Sequence, residues 1–381
     1  MHPFSLLIKP ACADCNLHCA YCFYLDRREM FPAPGPHRMS QAVLEATIRS
    51  YLALPLPEHS FAWQGGEPTL MGVEFFRRAV GLQKQYARPG ARVSNGLQTN
   101  ATLIDDEFAE LLGRGKFLVG VSLDGPPDLH DRYRRTAGGK GSHAEVLRGI
   151  EALGRHGVEF NILTLVSDAN VRRPREVYRY LRDSGFLYHQ YIPCVEFDPA
   201  GGLLPFSVTG EAWGEFLCEL FDEWHAADTR RVSIRLFDAV LMYMVEGFRP
   251  ACTMAPDCRQ YFVVEHDGGI YPCDFFVRPE LLLGNVVGGD WSALWESEAY
   301  RAFGARKGLL HPACGPCAFR TWCAGGCPKE RLARGDGARP LSVLCAGWKQ
   351  FYAHTLDRFR ALARQIVAER QGGLDPRRTM R

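Results

Sequence analysis

The chain has 381 residues, 46% of them hydrophobic, and a net charge of +2 with acidic and basic residues interspersed. That is enough apolar material for one large or two ordinary cores, which excludes a small scaffold stapled only by disulfides. The balanced charge argues against nucleic acid as a partner, and no apolar run approaches the ~18 residues of a membrane span.

Taken in chain order, short apolar strands alternate with amphipathic helices. Strands are expected at 4–9 (FSLLIK), 60–64 (SFAWQ), 92–98, 117–123 (FLVGVSL), 158–166 (VEFNILTLV) and 187–193. Helical periodicity fills the intervals at about 40–54, 73–87, 105–114, 142–156 and 174–184, and Gly113, Gly157 and Gly185 stand near helix ends. This alternation predicts a parallel sheet with helical crossovers, six β/α units in all, enough for a partial barrel. Active sites of such folds gather at the carboxyl ends of the strands. Gln64 to Glu67, Gln98 to Asn100 and Ser122 to Asp124 stand at three of those ends. Helices are expected next at 209–227 and 236–247. From about 250 to 347 the chain turns rich in Cys, Gly and Pro, a composition that predicts little apolar core and a need for metal as a staple. A helix is expected at 347–369, and the tail QGGLDPRRTMR is expected to fray.

Eleven of the fourteen cysteines fall into two arrays. The first is Cys15-x3-Cys19-x2-Cys22; the second is Cys252, Cys258, Cys273, Cys314, Cys317, Cys323, Cys327 and Cys345. Three thiolates leave one iron of a cubane iron–sulfur cluster open, whereas eight close two cubanes. The opening MHPFSLLIKP lacks the pattern of a secretory signal, so a reducing cytoplasm is the expected setting, where clustered cysteines bind metal rather than pair. Zinc is the rival metal: Cys314-x2-Cys317-x5-Cys323-x3-Cys327 alone reads as a zinc ribbon, and His18 offers a fourth ligand to the first array. Cys12, Cys194 and Cys218 are assigned to packing.

With CNLHCAYC and GGEP in place, the chain resembles the radical S-adenosylmethionine (SAM) enzymes, whose motif is Cys-x3-Cys-x-aromatic-Cys, here with Tyr21 as the aromatic. Its second half resembles their SPASM-type extension: Cys258-x9-Gly268-x4-Cys273, then the 314–327 run, then Cys345. Segments along nearly the whole length, among them SLLIKPA, QGGEPTLMG, LQTNATLID, KFLVGVSLDGP and CAGGCPK, are similar to those of anaerobic sulfatase-maturating enzymes.

The resemblance implies an α/β fold: a partial (β/α)6 radical SAM barrel over 1–235, then a Cys-rich α+β domain over 236–347 holding two auxiliary clusters, then a helix and tail over 348–381. It implies three [4Fe–4S] clusters and SAM as cofactors. Cys15, Cys19 and Cys22 hold the catalytic cluster. Cys252, Cys258, Cys273 and Cys327 hold one auxiliary cluster, and Cys314, Cys317, Cys323 and Cys345 the other. SAM contacts are implied at Tyr21, Gly65, Gly66, Glu67, Ser122, Arg134 and the backbone of Val195. The implied reaction is oxygen-independent oxidation of a sulfatase Cys or Ser to Cα-formylglycine by a 5′-deoxyadenosyl radical, with Asp274 as base and Tyr24, Gln64 and Gln98 as peptide contacts. Implied partners are an unfolded or nascent sulfatase and a one-electron reductant such as flavodoxin or ferredoxin. Two other readings share the cysteines: a SPASM-type maturase that crosslinks a ribosomal peptide, and a non-catalytic zinc or cluster scaffold. The Cys15 motif starts almost at once, which is expected to leave no room for the peptide-recognition domain of a crosslinking maturase.

Overall fold

The computed structural model describes residues 3–31, 35–331 and 339–372. The expected tail therefore lies outside the described residues beyond Gly372. Strands are β1 Ser5–Lys9, β2 Glu58–Trp63, β3 Arg92–Thr99, β4 Phe117–Ser122, β5 Phe160–Val166, β6 Tyr188–Pro193, β7 Ser233–Ile234, β8 Tyr261–Glu265, β9 Gly269–Tyr271 and β10 Gly284–Asn285. The first helices are α1 Gln41–Leu52, α2 Val73–Tyr86, α3 Asp106–Arg114, α4 Pro127–Tyr133, α5 His143–Arg155 and α6 Pro174–Asp183. They are followed by α7 Gly210–Ala227, α8 Arg235–Glu246, α9 Trp291–Glu296, α10 Glu298–Ala305, α11 Arg320–Cys323 and α12 Cys345–Gln371.

Local chemistry sets the helix ends. Ser40, Asp105 and Thr209 each accept a backbone N–H of the first turn of α1, α3 and α7, and Pro174 opens α6 where its missing N–H is harmless. Gly247 closes α8 in the left-handed conformation. The short helix α4 and the pair α9 and α10 escape the sequence reading, because six to eight residues carry too little period to register.

The chain divides into two compact units that interleave in sequence, unlike the consecutive division expected at 235 and 347. The first comprises 1–123, 130–161 and 259–304. Its strands run in the order β10-β9-β8-β1-β2-β3-β4. β8, β1, β2, β3 and β4 are parallel neighbours, and β9 and β10 add antiparallel. Beside β4, Val119 N–H donates to Glu159 O at 2.9 Å, at the threshold of β5. Leu6, Ile8, Phe61, Trp63, Val119 and Val121 are fully buried at alternate positions, as a sheet covered by helices requires.

The expectation of little core after residue 250 fails for 259–304. Phe262, Val263, Val264, Ile270, Trp291, Tyr300 and Phe303 are all buried, and Phe262 stacks on Tyr300 with ring centroids 4.4 Å apart. The parallel pairing of β8 with β1, register Leu6↔Phe262 and Lys9↔Glu265, makes YFVVE an interior strand. A continuous apolar run of four, Tyr261 to Val264, reads weakly in sequence, which is why the composition of its neighbours masks it.

The second unit comprises 124–129, 162–258 and 305–381. Within it β5, β6 and β7 pair in parallel, and α7 lies along α12. A Cβ on Gly347 would stand 2.1 Å from Gly210 O, and one on Gly214 2.7 Å from Gly347 Cα. The three glycines thus let two long helices touch backbone to backbone. Phe221 and Phe359 fill the rest of the seam, ring centroids 4.7 Å apart. Among the described residues no helix is long and apolar enough to cross a membrane.

Candidate active site

The first cysteine array lies on the loop that follows β1. Asp14 anchors this loop: its carboxylate accepts His37 N–H at 2.7 Å and the Arg38 guanidinium at 2.8 Å. Burial pushes the Asp14 carboxyl up, but the His37 and Arg38 donors outweigh it and hold the pKa below the usual range. Cys15 Sγ receives Leu17 N–H at 3.4 Å and Asn100 Nδ2 at 3.7 Å. Such donors suit a thiolate rather than a thiol. Without metal the Cys15 thiol is pushed up to about 12, first by burial, then by the charges of Glu67, Cys19 and Cys22. The three sulfurs are therefore close enough to repel one another, a cost that iron removes. His18, the possible fourth ligand for zinc, is exposed. The donor set present fits a cluster with one open iron.

The GGEP turn is locked against this loop. Gly66 has φ +49°, and a Cβ there would lie 2.1 Å from Asp14 O, so only glycine fits. Glu67 N–H donates to the same Asp14 carbonyl at 2.8 Å. Glu67 itself is buried. Its Oε1 accepts Thr69 N–H at 3.0 Å, Thr69 Oγ1 at 2.7 Å and Thr99 Oγ1 at 2.8 Å, and its Oε2 accepts Asn100 N–H at 2.7 Å. Three donors therefore converge on Oε1 and one on Oε2. Glu67 thus staples the end of β3 to the turn after β2.

Tyr21 is buried with its ring 5.5 Å from that of Tyr133, and the Arg134 guanidinium lies 5.6 Å from the Tyr21 ring centroid. Ser122 Oγ, at the end of β4, accepts Gln98 Nε2 at 3.1 Å. Val195 lies in the second unit, buried just beyond β6.

Asp274 lies three residues after β9 and is 6% exposed. Lys9, the last residue of β1 and buried to 1%, forms an ion pair with Oδ1, while Gln64 Nε2 donates to Oδ2 at 3.0 Å. The Lys9 ammonium also stands 3.5 Å from the Tyr24 ring centroid, and the Tyr24 hydroxyl donates to Glu265, the last residue of β8. Burial, then the Glu265 charge, pushes the Tyr24 phenol well above its ordinary value, so it remains a donor. Asp274 N–H and Cys273 Sγ each stand 3.4 Å from the Tyr261 hydroxyl. Sequence reasoning missed Lys9, Glu265 and Tyr261. The available signal was a charged residue closing an apolar strand, as in SLLIK and YFVVE.

In the second unit Cys314, Cys317, Cys323 and Cys345 line one cavity together with Trp348 and Lys349; Cys327 is not among its lining residues. The charges of Cys317, Cys314 and Cys345 all act on Cys323, so four sulfurs converge as a cubane requires. This grouping differs from the consecutive zinc-ribbon set. Elsewhere in the unit, Cys252 and Cys258 interact through their charges. Buried Lys307 ties their segment to Cys327's neighbour, donating to Thr253 O at 2.8 Å and Gly326 O at 3.0 Å. Cys273 belongs to the first unit. Cys12, Cys194 and Cys218 are buried.

The radical SAM superfamily profile matches residues 11–181, and that of an iron–sulfur cluster-binding domain matches 252–318. A serine-type anaerobic sulfatase-maturating enzyme of Bacteroides thetaiotaomicron is 38% identical over 92% of this chain and 89% of its own length. A cysteine-type enzyme of Clostridium perfringens is 37% identical over 96% of this chain and all of its own. Among solved structures, native anSMEcpe with bound AdoMet and the Cp18Cys peptide is similar at TM-score 0.89 and 36% identity, over 96% of this chain and 100% of that one.

Proposed function

Because the chain belongs to the anaerobic sulfatase-maturating enzymes of the radical SAM superfamily, we propose that the sulfatase segment is oxidised over the carboxyl ends of β1 to β4, with Asp274 as the base. The protein is an enzyme that oxidises a Cys or Ser residue of a sulfatase to Cα-formylglycine without oxygen, using SAM and [4Fe–4S] clusters, three in all. Relatives named for sulfatase maturation favour this chemistry over the crosslinking of a ribosomal peptide.

When bound, the catalytic cluster and SAM supply a 5′-deoxyadenosyl radical that removes hydrogen from Cβ of the target residue. Cys15, Cys19 and Cys22 hold that cluster. The Gly65–Gly66–Glu67 turn receives the methionine amino group through its backbone, with Glu67 fixing the turn's shape. Tyr21, Ser122, Arg134 and the backbone of Val195 complete the SAM contacts. Cys252, Cys258, Cys273 and Cys327 are the ligands of one auxiliary cluster, and Cys314, Cys317, Cys323 and Cys345 of the other. Tyr24, Gln64 and Gln98 grip the peptide.

Asp274 takes the side-chain proton of the target residue. One observation carries this role: a buried carboxylate at the strand ends, oriented on one oxygen by Lys9 and on the other by Gln64, immediately after Cys273. A base must be within hydrogen-bond reach of its proton and held in one orientation, and this carboxylate is held on both sides. A one-electron reductant such as flavodoxin or ferredoxin and a cytoplasmic setting complete the proposal.

The test is mass spectrometry of a peptide with a Cys-x-Pro-x-Arg core after anaerobic incubation with reconstituted protein, SAM and dithionite. Maturase chemistry removes about 18 Da from the Cys peptide as the thiol becomes an aldehyde, alongside 5′-deoxyadenosine. SAM cleavage with both Cys and Ser peptides unchanged would refute the assignment.

A further inference from the structure

We propose that Cys12, Glu265 and His266 form a site for one zinc ion, separate from the eleven cluster cysteines. Their ligand atoms lie within 4.8 Å of one another, and the pair His266 Nδ1 and Glu265 Oε2 stands 3.7 Å apart. Ligands of a tetrahedral zinc are about 3.3 Å apart for nitrogen and oxygen, so closure needs a shift of about 1 Å or less in two side chains.

Two facts point to a missing partner rather than to packing. Cys12 and Glu265 are both 0% exposed. Glu265 Oε2 and His266 Nδ1 are buried and have no hydrogen-bond partner among the described residues. A buried carboxylate oxygen and an imidazole nitrogen left bare are each destabilising, and natural interiors avoid them. The ammonium of Lys9, the register partner of Glu265, is committed to Asp274 and the Tyr24 ring. A dication would instead meet one thiolate, one carboxylate and one neutral imidazole, giving zero net charge.

Backbone geometry supports the same reading. The register pair Lys9↔Glu265 between β1 and β8 brings the turn after β1 beside Glu265 and His266. Cys12 occupies that turn at φ +51°, a conformation that a side chain rarely adopts without a reason. The second oxygen of Glu265 accepts the Tyr24 hydroxyl, an outer hydrogen bond of the kind that orients metal-binding carboxylates. Mixed sulfur, nitrogen and oxygen donors select zinc over magnesium or calcium. Bound there, zinc would clip the turn leading to Cys15 onto the hairpin leading to Asp274.

The experiment uses holoenzyme carrying about twelve irons, so that the cluster cysteines are occupied. It is incubated anaerobically with zinc sulfate, passed over a chelating resin and assayed for both metals by mass spectrometry. Wild type should retain about one zinc, with an absorption-edge spectrum showing one sulfur at about 2.3 Å. Cys12→Ser and His266→Gln should each lose at least about tenfold of that zinc with iron unchanged. Should Cys12→Ser fail to assemble its clusters, His266→Gln decides, because that ring is partly exposed and its loss is better tolerated. No zinc on wild type, or equal zinc on wild type and variants, overturns the site. The result is independent of which peptide the enzyme oxidises.

Discussion

At the scale of single residues, the site depends on how a few buried charges are matched. Asp274 and Lys9 neutralise each other where neither meets water, and Gln64 fills the remaining geometry. Asp274→Asn keeps the shape but removes both the proton acceptor and the partner of Lys9. We expect SAM cleavage to persist while formylglycine formation falls about 10²-fold or more, the usual contribution of a positioned base. An unpaired Lys9 will also lower stability by about 3 kcal/mol, so 5′-deoxyadenosine output serves as the measure of folded enzyme. Formylglycine at the wild-type rate would remove Asp274 from the chemistry. Glu67 shows the converse case: a carboxylate prominent in the motif whose oxygens accept from Thr69, Thr99 and Asn100 within the fold.

At the scale of elements, the parallel strands bury alternate residues, and this has a pH consequence in β6. His189 is held neutral between Phe186 O, 2.7 Å from Nε2, and the Tyr191 hydroxyl, 3.1 Å from Nδ1. Burial pushes its pKa down to about 4. Above the ordinary value of about 6.5, neither folded nor unfolded chain protonates this ring, and its environment costs nothing. As the pH falls from there towards 4, the unfolded chain gains a proton that the folded one refuses. Stability then drops by about 1.4 kcal/mol per pH unit, to a total of about 3 kcal/mol. Thermal unfolding of holoenzyme between pH 7.5 and 5.5 should show this slope, and His189→Gln should flatten it. An identical slope in the variant would mean that other groups dominate. The elements hardest to read were those lacking a period: β8 as a plain apolar run, and α4, α9 and α10 as one or two turns each.

At the scale of the whole molecule, the proposed assignment separates the eleven cysteines into a set that makes the radical and sets that do not. Replacing Cys15, Cys19 and Cys22 together by Ala should lower iron from about twelve to about eight per chain and abolish SAM cleavage. The auxiliary iron should persist, since Cys314, Cys317, Cys323 and Cys345 line their own cavity in the second unit. Iron analysis with 5′-deoxyadenosine chromatography checks both points, and cleavage at the wild-type rate would displace the triad from its role. The segment 259–304 belongs with the first unit although it lies between stretches of the second, an arrangement that composition along the chain does not reveal.

The sequence by itself determined the order and type of the long elements, the strand ends at Gln64, Gln98 and Ser122, and the metal chemistry to which eleven spaced cysteines commit the chain. These are local properties: period, capping residues and ligand spacing. Tertiary structure alone decided that YFVVE pairs with β1, and that Lys9 meets Asp274 across 265 positions of chain. It also decided that Glu67 meets Thr99 and the Asn100 backbone and that Cys323 shares its cavity with Cys345 rather than Cys327. Such pairings depend on which buried charge or sulfur finds which partner once the strands are packed, and residue spacing holds no record of that.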